Sequence, residues 1–173
     1  KTLDAIFKPN LPPHIHFNNY LKSIWTPGIT LEEMHENKKM FAGILRIIHK
    51  GSSIHAHHDL IISSNPKARG GSEVLAQVGM NYFVQTPKEG GELLVWDQQL
   101  SPDEFSIRAK GDFCIPIEEM PAPCLKLKPQ KGMLELVNTC NLHAINESVD
   151  NDRIAFSYFI AYRGRHKPLT FWS

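Results

Sequence analysis

Apolar and polar residues alternate in short stretches along the chain from Phe41 onward. The stretches are rich in β-branched and aromatic residues and are separated by Gly, Pro, Asn and Asp, a pattern typical of β-strands joined by turns. We predict strands at residues 44–48, 78–84, 92–96, 125–128, 133–137 and 153–162, and also at the segments that contain residues 57–59, 114–117 and 143. Many short strands without alternating helices indicate an antiparallel sandwich or barrel.

The first forty residues lack this alternation, and the sequence predicts two helices there that cover the sheet. A Pro-containing turn leads into the first helix, at about residues 15–25, because Pro suits the start of a helix. Thr30 and Glu33 match a capping box for the second helix, over residues 31–40. The same pattern after Ser101 predicts a third, short helix.

A length of 173 residues and an even composition favour a single domain. We expect a helical flank over residues 1–40, a sheet-forming core over 41–162 and a C-terminal tail over 163–173. Residues 63–72 hold a Pro, paired Gly and small polar residues, so they are predicted to form a mobile loop. Two hypotheses stay open for this loop, namely closure over a bound substrate and an ordinary surface connection.

Charge and composition exclude several classes of partner. The chain has 19 basic and 18 acidic residues, a net charge of +1, which argues against nucleic-acid binding. No apolar run approaches the roughly 20 residues that span a bilayer, so we expect a soluble protein without a membrane partner. The three cysteines, Cys114, Cys124 and Cys140, are too widely spaced for a thiolate metal site or a disulfide framework, which fits a reducing cytoplasm. The sequence shows no secretory signal and begins at Lys1, so a longer natural chain stays open.

The chemistry is concentrated first at His57 and Asp59. Residues two apart share one face of a strand, so this His-x-Asp pair can present a nitrogen and an oxygen to one point. Such a pair, completed by a distant histidine and leaving coordination positions open, is the donor set of non-heme Fe(II) oxygenases. His143, on a later strand, is the candidate for the third ligand.

Arg153, ten residues after His143, is a candidate for binding an anion. Arg153 and Ser157 share a face of the strand 153–162, and a buried arginine needs an anion. A dicarboxylate that chelates the metal through a keto-acid end could place its far carboxylate on Arg153. Asn81 and Tyr82 are further candidates for contact with this co-substrate, but they lie on opposite faces of their strand, so at most one should matter strongly.

Arg46 interrupts an otherwise apolar strand, and two interpretations stay open: an edge residue paired with an acid, or an anchor for a substrate carboxylate. The remaining histidines are predicted not to be ligands. We expect His55 to lie behind the ligands or in solvent, His58 to point to the opposite face, and no function for His14, His16, His35, His49 and His166.

Taken in order, these motifs resemble the Fe(II)/2-oxoglutarate-dependent oxygenases over about residues 41–162: His57-x-Asp59, Gly90-Gly-Glu-Leu93, Pro129-x-x-Gly132, His143 and Arg153. The resemblance implies a mainly β chain with a double-stranded β-helix (jelly-roll) core and a few flanking N-terminal helices. It implies Fe(II) on His57, Asp59 and His143, with 2-oxoglutarate bound to the metal and anchored at Arg153. With O2, such an enzyme hydroxylates or otherwise oxidises a C–H bond of a small molecule and releases succinate and CO2.

Residues 90–104 and Phe171-Trp-Ser173 are similar to one branch of that family, the welwitindolinone and hapalindole carbon halogenases. Those halogenases have Gly where Asp59 stands, which leaves an iron position for chloride. A carboxylate at this place favours hydroxylation or another oxidation. The resemblance points to a specialised metabolite as substrate, whereas Arg46 in the cavity would favour an amino acid.

Two other functions stay open. A cupin-type metal dioxygenase would use His55, His57 and His143 without 2-oxoglutarate, but it leaves Asp59 and Arg153 unexplained. A non-catalytic ligand-binding jelly roll would carry its histidines by chance. The sequence indicates neither the identity of the substrate nor the oligomeric state.

Overall fold

Two β-sheets dominate the computed structural model, which describes residues 5, 7–34, 37–68 and 70–173. The helices that lie wholly within these residues are α1 (Pro13–Ile24), α2 (Ile61–Ser64) and α3 (Pro102–Arg108), and short 3-10 turns lie at Gly71–Glu73 and Ile117–Glu119. The strands are β1 (Ile29–Leu31), β2 (Ile44–Ile48), β3 (Ile54–His57), β4 (Ala76–Gln85), β5 (Leu93–Val95), β6 (Leu125–Leu127), β7 (Leu134–Asn138), β8 (His143–Ile145), β9 (Arg153–Tyr162) and β10 (Leu169–Trp172).

The larger sheet has the order β1-β10-β9-β4-β7, and β2 pairs with the first half of β9 beside β10. The smaller sheet has the order β3-β8-β5-β6. Every pairing is antiparallel except that of β1 with β10. A cavity between the two sheets is lined by residues from both, so the inner faces of the sheets build the candidate site.

Alternation along β9 explains how the larger sheet is buried on both faces. Phe156, Tyr158 and Ile160 point outward and pack with Phe17 and Leu21 of α1, which covers the sheet as predicted. The residues between them point into the cavity. Burying one such aromatic or aliphatic side chain stabilises the fold by about 1.5–3 kcal/mol, so the outer core holds β9 firmly in place.

The outer face of the smaller sheet is covered by α3 and the segment that follows it. Ala56, Leu94 and Ala144 form this core with neighbouring apolar residues. The helix begins as predicted, because Ser101 accepts a hydrogen bond from the Glu104 backbone N–H and the Glu104 carboxylate accepts one from the Ser101 backbone in return. A segment predicted as an edge strand, residues 114–117, forms only an isolated bridge between Ala56 and Ile115.

The prediction of a helix over residues 31–40 was wrong. Leu31 ends strand β1, which pairs in parallel with β10, and Glu33 forms a bridge with Lys39. The buried Glu32 carboxylate forms an ion pair, over 2.7 Å, with Nη2 of Arg163, which is distant in sequence. This long-range pairing outweighs the local capping signal. Residues 35–36, and with them His35, lie outside the described residues.

Two further segments differ from the sequence prediction. The C-terminal segment 163–173 contains β10, which pairs with both β9 and β1 and therefore belongs to the larger sheet. The predicted loop 63–72 begins inside α2 and ends in a 3-10 turn. Among the described residues, no helix is long and apolar enough to cross a membrane.

Candidate metal centre

His57 and His143 lie opposite each other where β3 pairs with β8. Opposite residues of an antiparallel pair place their side chains on the same face of the sheet. The two imidazole rings accordingly lie 4.4 Å apart between their centroids, and both point into the cavity between the sheets. The pairing register therefore brings the first and last predicted ligands together.

Asp59 joins them from just beyond the end of β3. The prediction placed it on the same strand as His57, but the strand ends at His57. Its backbone N–H instead donates to the carbonyl of Thr139, over 2.9 Å, which fixes the turn. The Asp59 Oδ2 atom lies 3.6 Å from Nε2 of His143 and 3.9 Å from Nε2 of His57. One donor atom of each residue lies within 4.8 Å of the others.

Backbone carbonyls orient both histidine rings. Nδ1 of His57 lies 2.8 Å from the carbonyl oxygen of His55, and Nδ1 of His143 lies 2.9 Å from that of Asn141. When Nδ1–H donates to these carbonyls, the lone pair of each Nε2 is directed toward Asp59. Two nitrogens and one carboxylate oxygen form the donor set that suits Fe(II).

Burial and charge interactions keep His57 and Asp59 in the protonation states that bind a metal. Burial, and then the proximity of His143, lower the pKa of His57 to about 4. Burial by itself would raise the pKa of Asp59, but its contacts with His143 and His57 outweigh that effect and place the pKa below its usual value. At neutral pH the cluster thus offers a neutral imidazole and an ionised carboxylate.

Arg153 lies in the same cavity, and only 1% of its surface is exposed. Its guanidinium carbon lies 4.7 Å from the centroid of the Phe83 ring, and Nη2 lies 3.8 Å from Oε1 of Glu135. Burial lowers the pKa of Arg153 to about 10, so it stays charged at neutral pH. Within the described part of the chain, Nε and Nη2 have no hydrogen-bond partner. A buried cation with unused donors fits a ligand carboxylate.

A row of polar side chains crosses the larger sheet beside Arg153. Ser157 and Glu135 lie opposite Asn81 on its two neighbouring strands. Ser157 Oγ donates to Asn81 Oδ1 over 2.7 Å, and Asn81 Nδ2 donates to Glu135 Oε1 over 3.1 Å. Glu135 is not among the site residues predicted from the sequence. It is the one acid inside the apolar strand β7, a signal that could have identified it.

The structure distinguishes the remaining predicted contacts. Asn81 lines the cavity, whereas Tyr82 lies on the opposite face in a groove with Phe17 and Leu134, so the co-substrate contact predicted for Tyr82 is corrected. Arg46 also lines the cavity, from the edge strand β2. Its charge favours the ionised form of Asp59, so both interpretations of Arg46 stay open at this point.

The other histidines among the described residues lie outside the cluster. Nδ1 of His55 accepts a hydrogen bond from the Ile117 backbone over 3.4 Å, and His55 is not one of the three clustered ligands, which contradicts the ligand set of the cupin alternative. The His58 ring stacks on Phe105, with 4.4 Å between centroids. His14 stacks on Phe156, His16 lines the outer groove, and His49 and His166 are exposed.

No family model matches this chain. The chain is similar to the L-gamma-glutamyl-L-propargylglycine hydroxylase of Streptantibioticus cattleyicolor, with 30% identity over 124 residues, 69% of this chain and 44% of the relative. The chain therefore spans less than half the length of this curated relative.

Two solved structures of an N-substituted L-amino acid dioxygenase from Burkholderia ambifaria AMMD are also similar, both at 19% identity. One has a TM-score of 0.54 over 78% of this chain and 53% of that chain. The other, in complex with alpha-KG, has a TM-score of 0.57 over 83% and 57%. The fold is a double-stranded β-helix. The mainly β jelly roll implied by the sequence resemblance is confirmed.

Within this double-stranded β-helix, the two sheets contribute different groups to the cavity. The smaller sheet and the segment that follows β3 supply the candidate metal-binding donors, His57, Asp59 and His143. The larger sheet supplies the two cations, Arg46 and Arg153. A ligand between the sheets can thus contact a metal at one end and a cation at the other.

Proposed function

We propose that this chain carries the active site of an Fe(II)/2-oxoglutarate-dependent dioxygenase that hydroxylates a C–H bond of a small molecule. The proposal rests on the convergence of His57, Asp59 and His143 in a cavity that also holds the buried Arg153. The similarity to a curated hydroxylase and to the fold of a dioxygenase solved with alpha-KG supports the proposal.

In this proposal His57, Asp59 and His143 would hold Fe(II). The bound metal supplies the oxidation, in which O2 and 2-oxoglutarate are consumed, the substrate gains a hydroxyl group, and succinate and CO2 are released. The protein positions the reactants and keeps the ligands deprotonated. The lowered pKa values of His57 and Asp59 serve that second task.

Arg153 binds the distal carboxylate of 2-oxoglutarate. A carboxylate at the unused Nε and Nη2 donors would form a charge-assisted pair with a buried guanidinium. Ser157 Oγ, on the same face of β9, lies among the residues that line this cavity and adds a second contact. Arg153 lies at the end of the cavity formed by the larger sheet, so the keto-acid end of the co-substrate is left to the metal.

For the substrate we propose an amino-acid-type small molecule rather than a nucleic acid. The relatives are named for an L-gamma-glutamyl-L-propargylglycine and for an N-substituted L-amino acid. Arg46 supports this class, because it is a second cation in the cavity and is half-buried. We assign it to the substrate carboxylate.

The halogenase-like motifs at residues 90–104 raise the choice between chlorination and hydroxylation, and Asp59 bears on that choice. Asp59 Oδ2 lies within 4 Å of both histidine Nε2 atoms, where a ligand to the same metal belongs. If the metal were bound here, the carboxylate would fill the position that the resembling halogenases leave to chloride, so we propose hydroxylation as the reaction.

Titration with Fe(II) and 2-oxoglutarate under anaerobic conditions tests the proposal against its alternatives. The oxygenase binds both, a cupin-type enzyme binds only the metal, and a ligand-binding jelly roll binds neither. Succinate formation in air should then be stimulated by amino-acid derivatives. Binding of metal without 2-oxoglutarate would contradict the proposed function.

A further inference from the structure

A second carboxylate lies beside the proposed anion anchor. Glu135 is 7% exposed, and its Oε1 atom lies 3.8 Å from Nη2 of Arg153. A ligand carboxylate bound at Arg153 would therefore become the second anion around one guanidinium. In a buried site two carboxylates that share one cation repel each other, and one of them favours its protonated form.

The hydrogen bonds that join Ser157, Asn81 and Glu135 leave no donor for a ligand carboxylate at Arg153. Ser157 uses its only proton to donate to Asn81 Oδ1, and Asn81 donates to Glu135. While Glu135 is ionised it can only accept, so it holds this direction. Ser157 then has no proton to offer to a carboxylate at Arg153.

We propose that the binding of a dicarboxylate at Arg153 is coupled to the uptake of one proton by Glu135, an inference that rests on the proposed function. Glu135, Asn81 and Ser157 form a row whose hydrogen bonds reverse direction when the proton is taken up. The proton comes from solvent and stays on Glu135. Protonated Glu135 donates to Asn81 Oδ1 once the amide has turned over. Asn81 Nδ2 then donates to Ser157 Oγ, and the Ser157 hydroxyl donates to the ligand carboxylate.

The surroundings of Glu135 favour such a change of charge. Burial raises its pKa, and the nearby Arg153 opposes this effect only in part. The other groups that act on it are Asn81 on β4 and, at longer range, His143 on β8, both of which favour the ionised form. A carboxylate bound to Arg153 would offset the effect of the Arg153 charge, which is the largest one that lowers the pKa of Glu135.

Isothermal titration calorimetry measures the proton directly. 2-Oxoglutarate is titrated into the Mn(II)-loaded protein in buffers of different ionisation enthalpy, between about pH 6.5 and 9. Wild type should take up close to one proton per bound ligand within this range, and its Kd should rise by up to about tenfold per pH unit. Glu135→Gln should take up about none and bind with a Kd that does not depend on pH.

Glu92→Gln is the matched control. Glu92 also accepts from an asparagine, Asn146, over 3.1 Å and lies 3.6 Å from a cation, Lys126, but it does not line the cavity. This variant should keep the wild-type proton count. Binding without proton uptake by wild type, or equal uptake by Glu135→Gln, would overturn the coupling and leave the proposed function intact. The absence of any 2-oxoglutarate binding by wild type would overturn both.

Discussion

His57 and His143 face each other directly in the pairing of β3 with β8, with 4.4 Å between their ring centroids. The distance between the two proposed nitrogen ligands is therefore set by strand register. A slip of one residue in either strand would turn one imidazole to the outer face of the sheet. The core on that outer face, around Ala56 and Ala144, opposes such a slip because it would have to be rebuilt.

Removal of a single ligand should abolish turnover. In Asp59→Ala or His143→Ala only two donors remain, so we expect weaker Fe(II) binding and no detectable succinate formation from 2-oxoglutarate. His49→Ala, which removes an exposed histidine, is the control and should keep wild-type activity. Full activity in either ligand variant would disprove the assignment.

Asp59→Gly tests whether the carboxylate decides the reaction outcome. This change frees a metal position while both histidines stay in place. With added chloride we expect chlorinated product, which mass spectrometry detects by its isotope pattern. Retained hydroxylation without chlorination would show that more than the carboxylate excludes the halide.

Arg153→Met should raise the 2-oxoglutarate requirement far more than the Fe(II) requirement. The variant loses one charge-assisted pair, worth on the order of 1.5–3 kcal/mol, or about 10- to 100-fold in KM. Ser157→Ala should shift the KM in the same direction by less. An unchanged KM for 2-oxoglutarate in Arg153→Met would assign the anchor to another cation, with Arg46 as the nearest candidate in the cavity.

Arg46→Met tests the substrate class. Succinate formation is first screened with amino-acid derivatives and with apolar alkaloid-like compounds. If an amino-acid derivative is the substrate, Arg46→Met should raise its KM by about 10-fold or more and leave the KM for 2-oxoglutarate nearly unchanged. An amino-acid substrate whose KM does not change would refute the anchor. Stimulation by protein or RNA alone would refute a small-molecule substrate.

The stability of the metal-free protein should fall between about pH 6.5 and 4. Burial lowers the pKa of His57 to about 4, whereas the unfolded chain binds this proton below about 6.5. Acid therefore favours the unfolded state across this window, by up to about 3 kcal/mol for this residue. Urea unfolding of chelator-treated protein measures the free energy of unfolding at each pH. This free energy should fall less between pH 6.5 and 4 in His57→Gln than in wild type, whereas His49→Gln should follow wild type.

Much of the fold and of the site could be predicted from local sequence. Strand β9 lies where the alternation placed it, and β2 matches its predicted bounds. The capping box of α3 and the grouping of His57, Asp59 and His143 were also correct. The positions of β2, β9 and α3 depend on side-chain periodicity and on local hydrogen bonds, which neighbouring residues determine by themselves, whereas the three ligands were grouped from the order of their motifs.

Only the tertiary structure decided the rest. It replaced the predicted helix over residues 31–40 with the end of β1 and an isolated bridge between Glu33 and Lys39, and it made β10 from part of the predicted tail. The backbone hydrogen bonds between these distant segments outweigh the capping signal at Thr30. It placed Asp59 beyond its strand, where Thr139 fixes the backbone. It also put Glu135 beside Arg153, since that neighbourhood depends on how β7, β4 and β9 pair. The sequence by itself determined which residues could be ligands, whereas strand register decided their partners, because register is a property of the closed sheets and not of any one segment.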